Sequence, residues 1–219
     1  MTMQVGMIAK DGIVLASDTW WSRSPKPGHS GTHHGWDSSK FVINDAKNIA
    51  VACARDKITS TRIAEAIVSK MSAAEPAGNR EQRIRQVASV AAEGHDVECL
   101  IAFAGSDPGL YLFQHVNQGA DVISDRIIKF AHTGDSTNAA LFWLMRYYQH
   151  DKTVLQLMGL ASHTVLAAKE FNSALISGLE IVYSDGSEFH RLSPHENNEW
   201  VMRSKGWEAQ IEELIMGVT

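Results

Sequence analysis

Residues 3 to 17 constrain this chain more than any other stretch. Val5, Met7 and Ala9 alternate, Lys10-Asp11-Gly12 has turn chemistry, and Ile13-Val14-Leu15-Ala16 returns as an apolar run. The pattern predicts an antiparallel hairpin, with the Asp-Gly pair expected to take the positive φ of a tight turn. Thr2 stands immediately before it. Removal of Met1 would leave a hydroxyl and a free α-amine on that one residue, a nucleophile carrying its own base.

After Asp18 the chain reads Thr19-Trp20-Trp21-Ser22-Arg23, then a polar stretch to Ser39 with Pro25, Pro27, Gly28, Gly31 and Gly35. So many turn formers predict a long loop or an irregular hairpin. His29, His33 and His34 lie there near Asp37, but their spacing matches no standard ligand set, so solvated histidines and no metal are expected. Phe41-Val42-Ile43 and Ile49 to Ala54 form a second hairpin pattern. Ile63, Ala64, Ile67, Val68 and Met71 recur at helical spacing, with Thr59 or Ser60 as the expected N-cap. A second helix carries Ile84, Val87, Val90 and Ala91, up to Gly94.

Strands follow over 97–104, 111–113 and 122–130. Helices are then expected from Gly134 to Tyr148, from about Val154 to Glu170, and around Ile211, Leu214 and Ile215. Between the last two, Ser184-Asp185-Gly186 joins a hairpin. Strands and helices come in blocks without repeat or linker, which predicts one α+β domain over residues 1–219.

The formal net charge of -5 gives no basic surface for nucleic acid. No apolar run nears the roughly 18 residues of a membrane span, and no signal-peptide pattern opens the chain, so a soluble cytoplasmic protein is expected. Cys53 and Cys99 sit in apolar runs and read as buried free thiols.

Val5-Gly6, Lys10-Asp11-Gly12, Leu15-Ala16-Ser17-Asp18 and Lys40-Phe41-Val42-Ile43-Asn44-Asp45 together resemble the start of proteasome β subunits. The likeness extends to Gly105-Ser106-Asp107-Pro108-Gly109-Leu110-Tyr111, to His132-Thr133-Gly134-Asp135-Ser136, and to Ser177-Gly178 before Ser184-Asp185-Gly186. That superfamily includes HslV, Anbu and the betaproteobacterial proteasome homologue. The resemblance implies a four-layer αββα sandwich of the N-terminal-nucleophile hydrolase type. It also implies a threonine-type endopeptidase with Thr2 as nucleophile, Lys40 managing its proton and Asp18 orienting Lys40. Ser136 and Ser177 fall near the family's two accessory serines. Asp135 takes the first serine's place by register, and Ala174 stands where the second is preceded by an Asp.

In the family an Ala-Gly pair ends the fourth strand and its glycine N–H receives the oxyanion; here Cys53 or Ala54 takes that place. The resemblance further implies main-chain peptide binding at Ser22, a pocket wall at Trp21, and a pocket base at Val51 with Arg55 further along. Peptide or unfolded protein is the implied substrate and homo-oligomeric rings the implied assembly. No cofactor is implied, and an ATPase partner cannot be named from the sequence. Two alternatives follow from the same residues: a ring subunit with an impaired site, or an amidase for small amides if Trp21 blocks the peptide groove.

Overall fold

The opening alternation folds as β1 (Met3–Ala9) against β2 (Gly12–Ser17), with Val5 opposite Ala16 and Met7 opposite Val14. The computed structural model describes residues 2–23, 34–92, 94–116 and 121–217. The turn differs from expectation: Gly12 is not among the residues with positive φ. Glycine is needed there for close approach, because a Cβ would lie 1.9 Å from the Ser184 carbonyl oxygen. Asp11 also serves the neighbouring layer, accepting the Val154 N–H at 2.7 Å.

The long polar stretch is the irregular hairpin, with β3 (Trp20–Arg23) pairing antiparallel with β4 (His34–Asp37). His29 and His33 lie outside the described residues. β5 (Phe41–Ile43) and β6 (Ile49–Arg55) form the next hairpin, followed by α1 (Lys57–Lys70) and α2 (Ala77–Ala92). Asp56, not Thr59 or Ser60, caps α1 by accepting the Thr59 N–H at 2.8 Å. A carboxylate three residues earlier outcompetes a hydroxyl already inside the first turn.

Then come β7 (Val97–Phe103), β8 (Gly109–Val116), β9 (Asp121–Ile127) and β10 (Phe130–Gly134). The stretch expected as one strand over 122–130 is thus divided. α3 (Leu141–Tyr147) also starts later than expected. Asp135 accepts from the N–H and hydroxyl of Thr137, and Asn138 accepts the Ala140 N–H. These local bonds hold turns over 135–140 that compete with a helix. α4 (Val154–Phe171), β11 (Glu180–Ser184) and β12 (Phe189–Arg191) precede α5 (Pro194–Met216). α5 begins well before Ile211, because Ser193 and Glu196 form a capping box with Pro194 at the first turn.

The architecture is α+β. One antiparallel sheet has the order β10-β1-β2-β11-β12, a second has β5-β6-β7-β8-β9, and β3-β4 stands apart. Apolar residues gather in three clusters. Met3, Val5, Met7, Val14 and Ile181 pack with Leu157, Ala161 and Trp200 of α4 and α5. Ile13, Leu15 and Val182 meet Ala50, Ala52, Leu100 and Leu110 between the two large sheets. Val51, Cys53, Ile101 and Phe113 pack with Ile63, Ile67 and Ile84 of α1 and α2. Central strands are therefore buried on both faces, which is why β7 is inaccessible along its whole length. Cys53 and Cys99 are opposite one another in register, buried and free.

Candidate active site

The first strand, the end of the second and the entrance to the fifth bring three distant residues together. Thr2 precedes β1, Asp18 follows β2, and Lys40 precedes β5. Lys40 Nζ donates to Thr2 Oγ1 at 2.9 Å and to Asp18 Oδ1 and Oδ2 at 2.8 Å each. All three ammonium protons thus have an acceptor. Thr2 is 5% exposed, Asp18 0% and Lys40 1%. Asp18 also accepts from the N–H groups of Met3 at 2.9 Å and Trp20 at 3.2 Å, so backbone donors fix the carboxylate on both oxygens.

Burial pulls the Lys40 ammonium below its ordinary value of 10.5, with the adjacent Asp18 carboxylate only partly opposing it. Burial likewise raises the Asp18 carboxyl above 3.8, against the Lys40 charge and the two backbone donors. Both directions bring the Lys40 proton nearer to exchange at neutral pH. For both groups desolvation outweighs the attraction of the opposite charge.

The backbone of Thr2 is held as closely as its hydroxyl. Its carbonyl accepts the Asp135 N–H at 2.8 Å. Gly134 has φ 95°, and a Cβ there would lie 2.0 Å from the Thr2 carbonyl oxygen. Only glycine permits that approach and that backbone. Ser136 itself is exposed and Asp135 bonds to Thr137 and Asn138. Ser177 joins the rim through its backbone, its carbonyl accepting the Thr19 N–H at 2.9 Å.

Most of the expected pocket residues lie on β6 or pack against it, and several are buried. Trp21 is 4% exposed and shares a core cluster with the fully buried Val51 and Cys53. Its ring lies 5.0 Å from Lys40 Nζ and 5.5 Å from Lys57 Nζ, so it packs against cations and does not form an open wall. Ser22 pairs with Gly35 in the β3–β4 hairpin. The Cys53 N–H is occupied, donating to the Lys40 carbonyl at 2.8 Å, and its carbonyl accepts from Gln4 Nε2 at 2.7 Å. Ala54 is buried opposite Glu98. The left-handed backbone that calls for glycine occurs one residue later, at Arg55 with φ 73°.

Sequence reading missed Glu98. It is buried on β7, accepting from Arg55 Nη2 at 2.8 Å on Oε1 and from the Gly134 N–H at 2.7 Å on Oε2. A lone charge inside the apolar run Val97-Glu98-Cys99-Leu100-Ile101 was the available signal. Burial lowers the nearby His132 below its ordinary value, against the charge of Glu98. Among the described residues, no group of three His, Cys, Asp or Glu side chains could hold a metal ion, and no helix is long and apolar enough to cross a membrane.

Neither protein-family models nor curated sequences give a match to the chain. Solved structures do. Anbu, the ancestral beta-subunit, from Yersinia bercovieri is 16% identical with a TM-score of 0.71, over 99% of this chain and 97% of that one. A Gly-1 mutant of Anbu from Hyphomicrobium sp. strain MC1 is 14% identical with a TM-score of 0.74, over 100% and 99%. The helical assembly of the Anbu complex from Pseudomonas aeruginosa is 15% identical with a TM-score of 0.73, over 99% and 97%. The chain has the fold of the Anbu proteins.

Proposed function

We propose that this protein is a threonine-type endopeptidase subunit of a proteasome-like homo-oligomer, with residues 1–219 as one β-type domain. Its three apolar clusters are read as the interfaces of a four-layer αββα sandwich. The observation that carries the peptidase reading is the 2.9 Å contact between Lys40 Nζ and Thr2 Oγ1, with Asp18 on the remaining ammonium protons.

Once Met1 is removed, the Thr2 hydroxyl attacks a peptide carbonyl and its proton passes to the Thr2 α-amine. Lys40 lowers the cost of the developing alkoxide, and Asp18 keeps Lys40 in place. Collapse of the tetrahedral adduct breaks the C–N bond, and the proton leaves with the new amine. Water then hydrolyses the Thr2 ester, regenerating the hydroxyl and releasing the acid. No cofactor enters these steps.

The exterior of the helices α3, α4 and α5 supports assembly. Phe142, Met145, Tyr147, Phe171, Leu214 and Ile215 are all exposed there. An apolar face this extensive fits burial against a second copy, in rings that would also enclose the sites. Light scattering at micromolar concentration should give a multiple of 24.1 kDa; a monomer mass overturns the ring.

Epoxyketone labelling tests the nucleophile, because that chemistry needs both the Thr2 hydroxyl and its free amine. The wild-type protein should be modified at Thr2, and Thr2→Ala should not be. Persistent labelling of Thr2→Ala sinks the assignment. A second reading, a ring subunit with an impaired site, is favoured by the exposed Ser136 and the occupied Cys53 N–H. It expects assembly without labelling. The amidase reading is not favoured, since Trp21 packs in a core cluster with Val51 and Cys53.

A further inference from the structure

Acyl transfer needs an N–H for the oxygen that becomes negative, and the obvious donors beside Thr2 are taken. The Cys53 N–H donates to Lys40, the Asp135 N–H to Thr2, and the Gly134 N–H to Glu98. Alternation along β6 decides what remains. Cys53 faces the β5 edge, and Ala54 faces β7 as the partner of Glu98. The peptide plane entering Arg55 therefore turns its N–H to the β5 edge again. There β5 has ended, and the Ser38 N–H has left to bond the Thr19 carbonyl at 3.0 Å. The Gln4 to Cys53 bond sets this edge of β6 against the start of β1, two residues from Thr2.

Arg55 holds this position in a conformation that residues with a Cβ avoid, so something must hold it there. Glu98 is the holder the geometry provides. One carboxylate oxygen binds the Arg55 guanidinium and the other binds the Gly134 N–H, under the Thr2 carbonyl. We propose that Glu98 is a positioning residue of this site, fixing the oxyanion donor at Arg55 and the backbone of Thr2 with the two oxygens of one buried carboxylate. The proposal rests on the threonine-peptidase reading. It says how one carboxylate sets the distance between nucleophile and oxyanion donor, which lie on different sheets.

The test is a set of steady-state kinetics on a fluorogenic tripeptide amide, using the full chain with Met1 removed. Glu98→Gln keeps the volume but can bind only one of the two donors. It should lower kcat by about 10- to 100-fold, because a displaced oxyanion donor weakens the transition state. KM should change by less than about 3-fold, since the ground state does not use that donor. The same substitution made in an Arg55→Gly background should cost less than about 3-fold, because glycine takes positive φ without a clamp.

A wild-type kcat in Glu98→Gln overturns the proposal, as does an equal loss in both backgrounds, which would place the effect in general stability. If the wild-type protein neither turns over the amide nor is labelled at Thr2, the peptidase reading has failed. A crystal structure of Glu98→Gln then judges the clamp alone. Arg55 leaving positive φ supports it, and Arg55 unchanged overturns it.

Discussion

The Asp18–Lys40 pair and the Arg55–Glu98 pair both flank Thr2, the first bonding its hydroxyl and the second bonding the Gly134 N–H beside its carbonyl, yet water treats them differently. The side chains of Asp18 and Lys40 are both 0% exposed, whereas Arg55 is 46% exposed against 5% for Glu98. In the first pair neither charge has solvent to fall back on, so each depends on the other, Lys40 on the Thr2 hydroxyl besides and Asp18 on its two backbone donors. In the second, water can rehydrate Arg55, and only the carboxylate is committed. On the proposed reading, the closed pair serves proton chemistry and the open one serves geometry. Substitutions should separate the two roles.

Thr2→Ala should have the largest effect on turnover, lowering it by about four orders of magnitude or more. Its melting temperature should match the wild type, because Lys40 keeps both Asp18 oxygens. A lowered melting temperature in thermal denaturation would show that the hydroxyl is part of what balances the buried charge.

Next in size is the closed pair. Asp18→Asn removes the counter-charge of Lys40 and also turns an amide donor toward groups that are themselves donors, Lys40 Nζ and the Met3 or Trp20 N–H; it should cost about 3–5 kcal/mol in denaturant unfolding, with activity lost. Lys40→Ala should cost less stability, because the carboxylate retains the Met3 and Trp20 N–H groups. Lys40→Arg should not restore turnover, since a guanidinium does not share its protons at neutral pH. Wild-type turnover in Lys40→Arg would make Lys40 a structural charge.

The open pair should matter less to stability. Arg55→Ala should cost about 1 kcal/mol or less, as expected of a half-exposed ion pair. Glu98→Ala should cost about 1–3 kcal/mol, because it strands the buried Gly134 N–H. If unfolding free energies rank these two above Asp18→Asn, the contrast between the pairs is wrong.

The smallest effect is one of pH, and its sign sets activity against stability. Burial raises Asp18 above 3.8, so the folded state takes up that proton at higher pH than the unfolded chain. Asp18's own contribution to stability is therefore fully present below the unfolded pKa and is lost as pH rises through the folded pKa. Activity runs the other way, because a protonated Asp18 no longer balances Lys40. Turnover should fall on acidification at a pH above 3.8 while this carboxyl does nothing to lower the melting temperature. Paired pH–rate and melting curves check this; an acid limb retained in residual Asp18→Asn activity would assign it elsewhere.

The sequence by itself determined much of the hairpin architecture, because strand alternation and turn chemistry are local. Val5, Met7, Ala9 and the return from Ile13 to Ala16 specify β1 and β2 without help from the rest of the chain. It also brought Thr2, Asp18 and Lys40 into one argument, through a resemblance carried by the residues around each. Ser193 and Glu196 were equally legible as a capping box, although the reading began α5 too late.

Only the tertiary structure decided the rest. The reason for Gly12 is the Ser184 carbonyl, and the reason for Gly134 is that of Thr2; both partners are far away in sequence. The resemblance implied a pocket wall at Trp21, and the packing of α1 over β6 put it in a core cluster. The Arg55–Glu98–Gly134 link depends on the registers of β6, β7 and β10 and on how two sheets face each other. No local pattern encodes that facing. A chain can announce which residues are chemically able to act. Distances of 2.7 to 2.9 Å between them arise only when folding buries a charged group against the partners that must replace its water.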